Sequence, residues 1–169
     1  MTRRAALQTL GRGTLLGLSA LALGGCGFKL RGAQNYDFQT LAIVGTGSAL
    51  ADELRRALGK SVQMLPVGAP LKTAQVILDI VREQRERVVV GMSSTGQVRE
   101  LQLRMRLRLK IRTPQGDDLV PETELLQKRD ISFNETAVLA KEAEEALLYR
   151  DMQTDLVQQL LRRLAAVRL

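Results

Sequence analysis

The chain has no histidine and only one cysteine, Cys26, in its 169 residues. The first absence removes the commonest general base and the commonest metal ligand. The second leaves no disulfide within the chain. An enzyme made from this sequence has to draw on carboxylate, lysine or serine alone, so a non-enzymatic role without cofactor or metal is the expectation. Aromatics make up 3% of residues, a poor supply for stacking bases, and nucleic acid is not an expected partner. Internal repeats and low-complexity segments are lacking. The apolar run at residues 15–23 is too short for a comfortable membrane span.

That run has a different use. Arg3, Arg4 and Arg12 lie before or at its edge, giving the cationic and apolar regions of an export signal. The small residue that ordinary signal peptidase needs three positions before its cut is replaced by Leu23, and Cys26 stands where the mature chain begins. Leu23-Gly24-Gly25-Cys26 resembles the bacterial lipobox, whose cysteine receives a diacylglycerol on sulfur and an acyl chain on its new amino group. Two or more acyl chains hold a protein firmly on a membrane where one holds it marginally. Gly27, not aspartate, follows the cysteine, and in lipoprotein sorting this implies the periplasmic face of the outer membrane. The expected organisation is a cleaved signal at 1–25, a lipidated leash at 26–40 and one domain at 41–169. Removing 25 residues from 169 leaves 144, enough for a core without staples.

The domain reads as α+β. Residues 41–44 form a short apolar strand, followed by Gly45-Thr46-Gly47 and a helix from Ser48 as N-cap to Leu58, closed by Gly59. Residues 62–65 make a second short strand. Three long strands follow at 75–90, 98–112 and 119–133, separated by turns at 91–96 and 114–118, which argues an antiparallel meander. From Asn134 to about Val167 the pattern is helical, with Leu148, Met152, Leu156, Leu160 and Leu164 in one stripe beside Val157 and Leu161. A small, mostly antiparallel sheet covered on one face by two helices is the expected architecture.

Charge is concentrated in one place. The signal holds three of the 25 basic residues and no acid, so the mature chain has 22 against 18, a net of +4. Residues 99–112 hold six basic residues and one acid, a local +5. From Leu101 to Arg112 apolar and polar residues alternate without a break, so a strand there buries Leu, Met and Ile on one face and shows Arg104, Arg106, Arg108, Lys110 and Arg112 on the other. Two readings stay open. The row faces an anionic partner, since arginine binds phosphate and carboxylate bidentately, or it is a wet face of cross-strand ion pairs. Pairing Val90 with Gln97 across the first turn puts Arg104 opposite Glu83 and Arg108 opposite Asp79, with Glu124 near Arg108. Arg106 and Lys110 then lack an acidic neighbour and are the better candidates for an external anion.

Other signals are weak. Gly45-Thr46-Gly47 resembles half a dinucleotide fingerprint, but Leu50 replaces the third glycine and a tight turn suffices. Ser93 and Ser94 lie in a glycine-flanked turn without the spacing of a hydrolase elbow. A serine hydrolase would need a pocket joining them to a buried lysine.

In order along the chain, Gly25-Cys26-Gly27-Phe28-Lys29-Leu30-Arg31-Gly32, the Thr95-Gly96-Gln97 turn, Glu100-Leu101, Arg129, Ala140-Lys141 and the final amphipathic helix resemble the LptE family of LPS-assembly lipoproteins. The resemblance implies an α+β fold with two helices on a small sheet. It also implies a plug inside the β-barrel LPS translocon LptD that helps the barrel assemble and binds lipopolysaccharide. The alternative is a structural envelope lipoprotein without LPS contact. The lysine that the family associates with LPS binding matches Lys141. The matching arginine before the turn is absent, since Ser94 falls there, and Arg106, Lys110 or Arg99 is expected to supply the missing charge.

Overall fold

A computed structural model of the chain describes residues 34–45, 49–59 and 61–169. The export signal, Cys26, the first part of the leash and the N-cap expected at Ser48 lie outside the described residues.

Five strands form one sheet in the order β2-β1-β3-β4-β5. They are β1 (Thr40–Val44), β2 (Gln63–Met64), β3 (Val76–Met92), β4 (Val98–Arg112) and β5 (Asp118–Ser132). Helix α1 (Ala49–Leu58) joins β1 to β2, and helix α2 (Val138–Ala166) closes the described chain. β1 pairs parallel with both β2 and β3, while β3, β4 and β5 form the antiparallel meander. The parallel pairing of β1 with β2 follows from the helical crossover between them, which a tight turn cannot supply.

One core lies between the helices and the sheet. Leu50, Leu54 and Leu58 of α1, and Met152, Leu156, Leu160 and Leu164 of α2, meet Leu101, Leu103, Met105, Leu107, Leu109 and Ile111 of β4. The uninterrupted alternation of β4 therefore puts its entire apolar row under the helices. Fully burying such side chains contributes about 1.5–3 kcal/mol each. Phe38 is buried in this core and Tyr36 packs against it, so packing begins ahead of β1. A smaller cluster of Ala42, Ala74 and Ile77, with Val44 and Leu65, covers the other sheet face near β1. Among the described residues, the β3–β5 part of that second face is open.

Gly45 ends β1 with φ of 131°, and a Cβ there would come within 2.6 Å of the Ile80 carbonyl oxygen. The chain leaves β1 against the bulge of β3 between Ile80 and Arg82, while Thr46 and Gly47 of the expected turn lie outside the described residues. Asn134 stops β5 and starts the final helical segment, its Oδ1 accepting from the Thr136 amide at 3.0 Å ahead of a single 3-10 turn, Glu135–Ala137.

Candidate functional site

β4 turns its charged row to the open face, where register decides each cation's neighbours. Arg104, Arg106, Arg108 and Lys110 lie opposite Glu86, Gln84, Arg82 and Asp79 on β3. This corrects the expected register. β3 runs on to Met92, and the turn is closed by the Ser93 amide donating to the Gln97 carbonyl at 2.8 Å. Bulges near Val81 and Val90 then shift every pair. Glu83, expected beside Arg104, lies opposite Leu107 on the helix face, where its Oε2 is buried without a hydrogen-bond partner among the described residues.

With this register the row is largely neutralised from within. Arg106 donates to Glu86 at 3.1 Å and to Glu124 at 2.7 Å. Lys110 meets Asp118 at 2.7 Å, Arg112 meets Asp79 at 2.6 Å, and Arg108 pairs with Glu122. Arg106 and Lys110, expected to lack acidic neighbours, are thus ion-paired, because β5 supplies carboxylates that the assumed register did not bring to them. The Glu124 hydrogen bond and the charge of Glu86 push Arg106 above its ordinary range. Asp79 does the same to Arg112, against the opposing effect of burial. Among the described open-face cations, Arg82, Arg104 and Lys128 have no carboxylate partner.

The other sequence-derived positions gather at the far end of the sheet. Lys141, in the first turn of α2, donates to Ser132 Oγ at 3.0 Å and to Glu144 at 2.9 Å. Arg99 is exposed, and its carbonyl accepts from the Phe133 amide at 2.7 Å, so it shares that end with Lys141. The Ser93 hydroxyl bonds only within its own turn, to Thr95 and Gln97. Ser94 is exposed at the hairpin tip. No pocket joins either serine to a buried lysine among the described residues, and the hydrolase reading has no support.

A polar layer between helices and sheet was not foreseen. Gln153 is buried on the apolar stripe of α2 and bridges Arg85 on β3 to Glu53 on α1, at 3.2 and 2.7 Å. Arg129 reaches Asp155, and the Tyr149 hydroxyl donates to the Glu86 carbonyl at 2.8 Å. Gln153 lies four residues from both Tyr149 and Val157, and a lone amide in that stripe was the available signal.

Fold and face together define the class: an α+β domain that presents a long, salt-bridged sheet face. The chain belongs to the LptE family. A family model described as LptE, lipopolysaccharide-assembly, matches residues 30–164. The LPS-assembly lipoprotein LptE of Pectobacterium atrosepticum is 30% identical over 156 residues, covering 90% of this chain and 84% of that protein. The protein of the same name from Yersinia enterocolitica is 29% identical, covering 90% and 74%. Among solved structures, lipoprotein B from Nitrosomonas europaea superposes with a TM-score of 0.70 at 31% identity, covering 83% of this chain and 91% of that one. The rare lipoprotein B of Shewanella oneidensis shares the fold at a TM-score of 0.64 and 21% identity, covering 76% and 95%.

Proposed function

We propose that this protein is an outer-membrane lipoprotein on the periplasmic face, acylated at Cys26 after loss of residues 1–25, which plugs and helps assemble the LPS-translocon barrel LptD and binds lipopolysaccharide. The leash expected at 26–40 leads from the lipid to the domain, which it joins by Tyr36 and Phe38, already packed on the core. The observation that carries this reading is the family match across residues 30–164. The open sheet face supports it physically. A barrel lumen is lined by polar side chains. A face whose cations are mostly matched by its own carboxylates enters such a space with few uncompensated charges. Lys141 and Arg99, together at the far end of the sheet, are the LPS contacts; Lys141 exchanges Glu144 for a lipid phosphate. Arg106 and Lys110 are not given this role, since their charges are already matched.

The test is purification of the full-length lipoprotein from membranes in mild detergent. The expected result is a large β-barrel partner at one-to-one stoichiometry with LPS bound. Absence of the barrel overturns the reading. A barrel complex in which the lipoprotein does not bind LPS leaves the envelope-assembly alternative in its place.

A further inference from the structure

Along β4, Arg106, Arg108, Lys110 and Arg112 each have a carboxylate, and Arg104 has none among the described residues. Its Nε donates to Gln102 Oε1 at 2.8 Å, and Gln102 Nε2 donates to Asp130 Oδ1 at 2.9 Å. The guanidinium is therefore fixed along one edge, while both terminal nitrogens have no acceptor among the described residues. Glu86, opposite Arg104 on β3, is turned to Arg106. Opposite Arg104 on β5 stands Lys128, a second cation, exposed and without a carboxylate partner among the described residues. Directly opposed side chains sit about 4.5–5.5 Å apart at Cβ, and like charges there destabilise a sheet. Arg82 and Arg108 also stand opposite each other, but Glu122 pairs Arg108, whereas neither Arg104 nor Lys128 has a carboxylate among the described residues.

We infer that Arg104 and Lys128 form a two-cation site for a phosphate ester. The guanidinium offers a planar fork and the ammonium a mobile point charge, a pairing suited to a tetrahedral dianion. Next along the strands lies a depression of about 410 Å³, lined by Val90, Glu100, Gln102, Asp130, Ile131 and Ser132. Its oxygens accept hydrogen bonds from hydroxyl or amino groups beside the phosphate. The ligand class is thus a phosphorylated sugar, free or carried as a lipid head group. The lipid-borne case rests on the LPS reading above.

Titration calorimetry on the full-length lipoprotein in detergent tests this with three probes: inorganic phosphate, glucosamine 6-phosphate and LPS. Arg104→Gln with Lys128→Gln is compared with Arg108→Gln with Lys110→Gln, which removes the same charge from paired positions. The site variant is expected to weaken glucosamine 6-phosphate and LPS about tenfold or more, as loss of charge-assisted hydrogen bonds requires. The paired-position variant is expected to stay close to wild type, and inorganic phosphate to bind more weakly than the sugar ester. Wild type binding the sugar phosphate and not LPS keeps the site and sinks the LPS reading. Wild type and site variant binding LPS equally sinks the site and leaves the LPS reading standing. Equal weakening in both double variants reduces the effect to net charge and overturns the site, as does wild type binding no probe. Lys128→Gln alone, at an exposed position, guards against misfolding and has to weaken binding as well. The unliganded site variant is expected to melt at or above the wild-type midpoint, because it removes an opposed pair of like charges.

Discussion

The two faces of β4 come from the same fifteen residues and obey different rules. The helix face is settled by alternation alone: Leu101, Leu103, Met105, Leu107, Leu109 and Ile111 are all at most 7% exposed, whichever residue of β3 lies opposite. The open face is settled by register, since a cation's worth depends on which carboxylate stands beside it. The two faces should fail very differently when cut. Leu107→Ala is the largest expected effect, a loss of about 2–5 kcal/mol from lost transfer energy and the cavity left behind. Urea melts would show it as a lower midpoint at unchanged slope. A loss below about 1 kcal/mol would mean that the helix face is not the close-packed core described.

The dry face has its own polar interruption, which sharpens the contrast. Tyr149 donates to the Glu86 carbonyl from beneath the sheet. Its replacement by Phe removes that hydrogen bond and should cost about 1 kcal/mol. Burial raises the Tyr149 phenol above its ordinary 10.0, with Glu145 adding to the shift and Arg87 and Arg85 opposing it. The sign of the pH effect follows. A raised phenol stays protonated longer in the folded state, so its contribution is full below about pH 10 and is lost as pH climbs through the raised value. Wild-type stability should therefore fall above pH 10, and Tyr149→Phe should flatten part of that decline. Tyr36, also raised by burial, acts in the same direction. Parallel curves for wild type and variant in alkaline denaturation would contradict this assignment.

The same division explains what could be read from the sequence. Local pattern was enough for the order of elements, the limits of β4 and the buried stripe of α2, because period 2 and period 3.6 are carried by neighbouring residues. The partners of Arg106 and Lys110 were not legible, because they depend on two bulges in β3 and on β5, none of which leaves a local mark. A shift of three residues in the first hairpin was enough to send Glu83 under the helices and bring Glu86 to Arg106. Gln102, which orients Arg104 and is held by Asp130, was hidden for the same reason: the contact joins residues 28 apart. Lys141 entered only through family resemblance, and its bonds to Ser132 and Glu144 show an anchor for the start of α2 that composition did not suggest.

The smallest effects lie along the ion-pair ladder, and they should be graded by exposure. The Arg112–Asp79 pair is half-buried, with side-chain exposures of 24% and 21%; Arg108 and Glu122 stand at 46% and 43%. Water and salt screen the second pair more than the first, and holding two long exposed side chains in one geometry consumes much of the Coulomb gain. Double-mutant cycles to alanine should give about 1 kcal/mol of coupling for Arg112 with Asp79, and about 0.2–0.5 kcal/mol for Arg108 with Glu122. Raising the salt to 1 M, where the screening length is about 3 Å, should erase the weaker coupling and leave part of the stronger. If the exposed pair couples as tightly as the half-buried one and resists salt, then the ladder behaves as one cooperative network. In that case Arg104 and Lys128 would not be separable from it, and the open face would answer to alteration as a unit, as the helix face does.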